Sequence, residues 1–126
     1  MSFKHFLESY RSKEDEIQRG KDSNAQSGHY HGIHMNVLIH PKSRDVDHGN
    51  RLSKEHWDDI LSRAAERVKS KPETHFLMFS KKHQQGFVGH WMPAKKRMDV
   101  MTILPKGKKE PGLHTKLHTM ESVIFE

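Results

Sequence analysis

From His29 to Pro41 the chain alternates Ile33, Met35, Val37 and Ile39 with His34, Asn36, Leu38 and His40. A period of two predicts a strand with one apolar face. A polar loop, Pro41 to Asn50, follows. Ser53 then stands before Trp57, Ile60, Leu61, Ala64, Ala65 and Val68, a 3.6-residue period. That spacing predicts an amphipathic helix capped by Ser53 and stopped by Pro72. Three further strands are expected over Thr74 to Ser80, Gln85 to Met92 and Arg97 to Leu104, separated by the turns Lys81–Gln84 and Pro93–Lys96. Pro105 to Gly112 reads as a basic loop, and Thr119 to Phe125 as an optional last strand. The order β-α-β-β-β-(β) implies an α+β fold: one amphipathic helix on a mostly antiparallel sheet of four to five strands.

The first 28 residues stand apart. Phe3, Phe6 and Leu7 recur at helical spacing, a charged run follows at Ser12 to Glu16, and Gly20 to Gly28 is polar. The expectation is a loosely attached N-terminal amphipathic helix with a linker over 1–28, and a single domain over 29–126.

Composition narrows the chemistry. Only 33% of the 126 residues are hydrophobic, and the chain contains no cysteine. Disulfides, thiolate metal sites and cysteine nucleophiles are thereby excluded, which fits a reducing compartment and a cytoplasmic or virion-interior location. No apolar run approaches the roughly 18 residues of a membrane span. Charge is uneven: residues 81–116 hold nine Lys/Arg against two acids, more net positive charge than the +6 of the whole chain. Such a surface suits a polyanion, since cations that neutralise phosphates release condensed counterions. The ordinary alternative is a solvated basic face.

Histidine is abundant, at 12 residues. With Pro93 to Lys96 as a four-residue loop, Met92 faces Arg97, Trp91 faces Met98 and His90 faces Asp99. His90, Asp99, Arg97 and Met92 then share one sheet face, and Phe87, Trp91, Met98, Val100 and Thr102 the other. An imidazole that exchanges protons near neutral pH, a carboxylate to orient it and a guanidinium for the phosphate suffice for RNA cleavage without metal or cofactor. A cross-strand charge pair on a solvated face is the plain alternative. His48 and Arg51 precede the capped helix, where free N–H groups attract anions. The basic segments, with Lys95, Lys96, Lys106, Lys108 and Lys109, supply further phosphate contacts. His29, His31 and His34 invite a metal reading, as do His114 and His118, but neither group carries a completing carboxylate or a zinc-motif spacing. No phosphate-binding glycine motif or serine-nucleophile elbow is present. Few aromatics flank the basic stretch, which favours phosphate binding over base stacking.

The layout from Arg51 to Lys108 resembles the small metal-independent nucleases of the barnase–EndoU–colicin–RelE class. The carrying residues are His48 and Arg51 entering the helix, Gln85-Gly-Phe-Val-Gly-His90, and the strand Arg97 to Lys106 with its V-x-T-x-x-P ending. The resemblance implies attack of a 2′-hydroxyl on the adjacent phosphate, with His48, His90, Arg97, Thr102 and Lys106 as site residues. Its implied partners are RNA or another nucleic acid, and a cognate antitoxin or host protein. The start, Met-Ser-Phe-Lys-His-Phe-Leu-Glu8, is similar to the head-targeting leaders of T-even-like phage internal proteins, although Leu7 and Glu8 are adjacent where those leaders place a residue between. That likeness implies a phage-encoded, packaged protein. Two rivals to a ribonuclease stand beside it: a non-enzymatic protein that binds nucleic acid or inhibits a host enzyme, and a His-ligated metalloenzyme.

Overall fold

The hairpin that opens the sheet turns on two residues. His31 and Gly32 both have positive φ, 54° and 79°, as a two-residue turn of the twist-matching kind requires. They split the expected single strand into β1 (Gly28–Tyr30) and β2 (Ile33–Val37). The computed structural model describes residues 14–18, 20–108 and 120–126. The helix expected at Met1 to Leu7, Lys109 and the His114/His118 pair lie outside the described residues.

After β2 the chain enters α2 (Ile39–Asp47), where a polar loop was expected. The helix escapes hydrophobic periodicity because it buries Pro41, Ser43 and Asp45. Pro41 is tolerated because it stands in the first turn, where its missing N–H has no helical partner to lose. A helix α1, described over residues 14–18 and 20, rests on α2. There Glu16 Oε1 lies 3.0 Å from His40 Nδ1 and accepts from Ser43 Oγ at 3.3 Å.

The strongest sequence signal is met in full. α3 (Lys54–Val68) buries all six periodic residues from Trp57 to Val68, and Ser53 Oγ accepts from His56 N at 3.1 Å. Ser53→Ala is expected to cost about 1 kcal/mol, read as a lower urea midpoint with an unchanged slope.

β3 (Thr74–Ser80), β4 (Gln85–Met92), β5 (Arg97–Ile103) and β6 (Glu121–Phe125) complete one sheet of six strands in the order β1-β2-β5-β4-β3-β6. The fold is α+β as expected. Its sheet gains a strand from the early hairpin, and it is mixed: β1/β2, β3/β4 and β4/β5 are antiparallel, β2/β5 and β3/β6 parallel. α3 covers one face, over Ile33, Met35, Phe76, Met78, Phe87, Trp91, Met98 and Val100. Among the described residues the opposite face carries a smaller apolar cluster, Leu77, Val88 and Leu104 with Met120.

A bulge adjusts β5. Gly89 pairs with Val100 but Val88 pairs with Thr102, so Met101 is the extra residue. Side-chain parity flips there: Ile103 joins the core opposite Phe87. Thr102, expected on the apolar face, therefore belongs with His90 and Asp99. A Cβ at Gly89 would lie 2.7 Å from Met98 Sδ, so a side chain there would force Met98 to shift.

The Gly20–Gly28 stretch, expected as a linker, is packed at its middle. Ser23 and Ala25 are 3% and 0% exposed. Ser23 Oγ donates to Asp45 Oδ2 at 2.7 Å, while Asn50 Nδ2 reaches both Asp45 Oδ1 (3.1 Å) and the Leu104 carbonyl (3.0 Å). Asn50 Oδ1 in turn accepts from Lys106 N at 2.8 Å. One buried knot thus joins the N-terminal segment, α2 and the loop after β5.

Candidate nucleic-acid interface

The face turned away from α3 is built by alternation along five strands. His90 lies opposite Asp99, and Met92 opposite Arg97, in the register the Pro93–Lys96 turn predicts. That turn closes with Lys96 in the left-handed region, φ 48°. Two further pairings extend the rows. The antiparallel β3/β4 ladder sets His75 beside His90, and the parallel β2/β5 ladder sets His34 beside Arg97 and Asn36 beside Asp99. His29 of β1 lies opposite His34. Two adjacent rows result: His29, His34, Arg97, Met92, and Asn36, Asp99, His90, His75.

Arg97 and Asp99 occupy the centre, with side chains 34% and 19% exposed and Arg97 Nε 3.1 Å from Asp99 Oδ1. The Nε–H is not aimed at that oxygen, so this is an ion pair without a hydrogen bond. Asn36 Nδ2 donates to the same Asp99 oxygen at 3.0 Å. Asp99 is thus tied to Asn36 and Arg97, and no hydrogen bond joins it to His90. Asp99, expected as the orienter of His90, has its described contacts with the Arg97 guanidinium and the Asn36 amide. Strand geometry explains this, since the Asn36 amide and the long Arg97 side chain both reach it from within the same sheet.

His90 stacks on His75, ring centroids 4.4 Å apart and planes within 9°. His29 and His34 form a second stack, at 4.6 Å and 10°. The His75 imidazole is held below its ordinary pKa, first by burial and then by the neighbouring His90, against an opposing pull from Glu73. Burial thus favours the neutral form of the His75 ring.

The other expected site residues scatter. Lys95 and Lys96 are exposed in the turn leading into Arg97 and add charge at that end. Lys106 and Lys108 are exposed beyond the opposite end of β5. His48 caps the C-terminal end of α2 among Arg44, Asp45 and Asp47, where burial and then Arg44 lower its pKa. Arg51 lines a cavity of about 260 Å³ with Asp22, Asn24 and Asp45. His48 and Arg51 flank Asn50, which bonds Leu104 five residues beyond Asp99, so the two are not brought to His90. The metal grouping also fails geometrically: His29 and His34 stack on the polar face, while His31 Nε2 lies 3.1 Å from Ser62 Oγ on α3. Among the described residues no set of three or more His, Asp or Glu is placed to hold a metal.

A second histidine–carboxylate contact lies elsewhere. His83 Nε2 is 2.7 Å from Asp59 Oδ2, and Arg63 Nε donates to Asp59 Oδ1 at 2.9 Å. The His83 hydrogen bond is the main reason that the Asp59 carboxyl sits below its usual pKa. This contact fastens the β3–β4 turn to α3.

His75 was legible in principle. The four-residue turn Lys81–Gln84 pairs Ser80 with Gln85, and counting back sets His75 opposite His90. His34 and Asn36 depend on a parallel pairing that no local turn specifies. No protein-family model, curated protein or solved structure matches this chain. No helix among the described residues is long and apolar enough to cross a membrane.

Proposed function

We propose that this protein binds RNA on the polar sheet face and cuts it without a metal. The neutral His75 imidazole takes the proton of a 2′-hydroxyl. That oxygen attacks the adjacent phosphorus, forming the P–O2′ bond as the P–O5′ bond breaks, and protonated His90 delivers a proton to the departing O5′. Arg97, oriented by Asp99 and Asn36, stabilises charge on the phosphate oxygens. The observation that supports this most is the gathering of His75, His90, Arg97 and Asp99 on one sheet face, with burial acting on His75. Lys95 and Lys96 add long-range attraction to the backbone.

The test is incubation with RNA, with and without EDTA. Cleavage unaffected by the chelator, leaving 2′,3′-cyclic phosphate and 5′-hydroxyl ends, is expected. The second reading is a non-enzymatic nucleic-acid binder, favoured by the absence of a bond between Asp99 and His90. Strongly salt-dependent binding without any cleavage establishes that reading and ends the first.

A further inference from the structure

Among the described residues, Ile17, Leu38, Ile39, Met101 and Ile124 are the large hydrophobics left exposed. Three of them, Ile17, Leu38 and Ile39, line one open cavity of about 530 Å³. They meet because Glu16 joins α1 to α2 through His40 and Ser43, which sets Ile17 against the start of α2. Leu38 and Ile39 are where the chain turns from β2 into that helix. Single exposed apolar residues are ordinary, but several gathered around one groove mark a place where something binds.

Another wall ties the groove to the polar face. Asn36 lines the cavity and also opens the row Asn36, Asp99, His90, His75. Its Nδ2 donates to Asp99 Oδ1 at 3.0 Å, and Arg97 Nε lies 3.1 Å from that same oxygen. A single carboxylate oxygen therefore separates the amide at the groove from the guanidinium assigned to the phosphate. The groove lies on the β2 side of β5, and His90 on the β4 side. It leads away from the histidines and competes with none of them.

Its chemistry matches a flat ring with polar edges. The volume falls within the range of about 300–1,000 Å³ for small-molecule pockets, which combine apolar walls with a few polar groups. Here those polar groups are Glu16, Asn36 and His40. A nucleotide carries its base only a few bonds from its phosphate, so a phosphate held at Arg97 has this groove within reach. We propose that the groove between α1 and the β2–α2 junction holds an unpaired RNA base, on a nucleotide whose phosphate lies at Arg97. Ile17, Leu38 and Ile39 cover its faces, and the polar rim meets its edge. Sequence-specific RNA recognition works mainly on bases splayed from the strand in this way. The inference rests on the reading that the polar face binds RNA, and adds the subsite that takes the base.

The experiment uses the full chain and 2′-O-methyl hexanucleotides, which lack the attacking hydroxyl, so that binding is measured apart from cleavage. Fluorescence anisotropy compares a hexamer carrying bases with an abasic hexamer of the same backbone. Both are titrated into the unchanged protein, Arg97→Ala and the double variant Ile17→Ser/Ile39→Ser. Both isoleucines are exposed, so the double variant should keep its urea midpoint. The hexamer with bases is expected to bind about 10- to 100-fold more tightly than the abasic one, the effect of burying one apolar group. The double variant should lose most of that preference while binding the abasic hexamer as before. Arg97→Ala should weaken both hexamers by a similar factor. A preference that survives the double variant, or no preference at all, overturns the groove inference, while weakening by Arg97→Ala still upholds the RNA reading. Equal weakening of both hexamers by the double variant also overturns it, because the groove would then meet the backbone. So does a dimer in sedimentation that the double variant dissolves, which would assign the groove to a second copy. Binding of neither hexamer, together with uncut unmodified RNA, overturns both readings.

Discussion

RNA cleavage by the His90→Ala protein is expected to fall by about 10²- to 10⁴-fold, the usual contribution of a positioned acid or base, while its urea midpoint stays near that of the unchanged chain. The two halves of this expectation come from the same geometry. His90 is only half-buried, and its described contact is the stack on His75. Truncating it strands no hydrogen-bonding partner in the interior. The remaining His75 keeps its place in the β3/β4 ladder but loses a nearby charge that held its pKa down. The base-side limb of the pH–rate profile should therefore move upward in the residual activity. Asp99→Asn gives a useful contrast. Because Asp99 contacts Arg97 and Asn36 and not His90, it should impair phosphate binding more than proton transfer, raising KM while kcat changes less. Equal activity of His90→Ala and unchanged protein would remove His90 from the chemistry.

The largest stability effect is expected far from that face, at Asn50. This side chain is 4% exposed and makes three bonds: to Asp45, to the Leu104 carbonyl and to Lys106 N. Asn50→Ala takes the donor from Asp45 Oδ1 and the acceptor from Lys106 N, while the Leu104 carbonyl keeps the Gln85 Nε2 donor and Asp45 Oδ2 keeps Ser23. At about 1–3 kcal/mol for each group left unsatisfied, a total loss of roughly 2–4 kcal/mol is expected. The effect should depend on pH. Burial raises the folded-state pKa of Asp45, while the Ser23 and Asn50 hydrogen bonds pull it down. A carboxyl whose folded pKa is raised favours folding below its unfolded value, near 3.8, and that contribution is lost as pH rises through the folded value. Removing the Asn50 donor raises the folded pKa further. The destabilisation measured by urea unfolding should thus be larger at pH 7 than at pH 3. The converse order would mean that Asp45 is not the group Asn50 serves.

Those two sites differ in how far the bare chain foretells them. The β4–β5 hairpin is legible because a short turn sets its register, and His90, Arg97 and Asp99 follow from counting. α3 is legible because six apolar residues repeat at one period. The partners that complete the site, His34, Asn36 and His29, are not, because β2 reaches β5 in parallel only after two helices and a hairpin intervene. α2 hides for another reason: it buries Ser43 and Asp45, whose burial depends on partners elsewhere in the chain. Thr102 is misplaced by alternation alone because the bulge at Met101 reverses parity. Local periods and turn lengths are written within a few residues; long-range ladders and buried polar knots are not.

The central claim, that the polar face is where RNA meets the protein, is tested most directly by following the histidine ring resonances by NMR as a 2′-O-methyl RNA strand is added. The account predicts that His34, His75 and His90 shift and broaden together while His48 and His83 remain in place. Shifts confined to His48 and the loop around Arg51, with the sheet histidines unmoved, would contradict it.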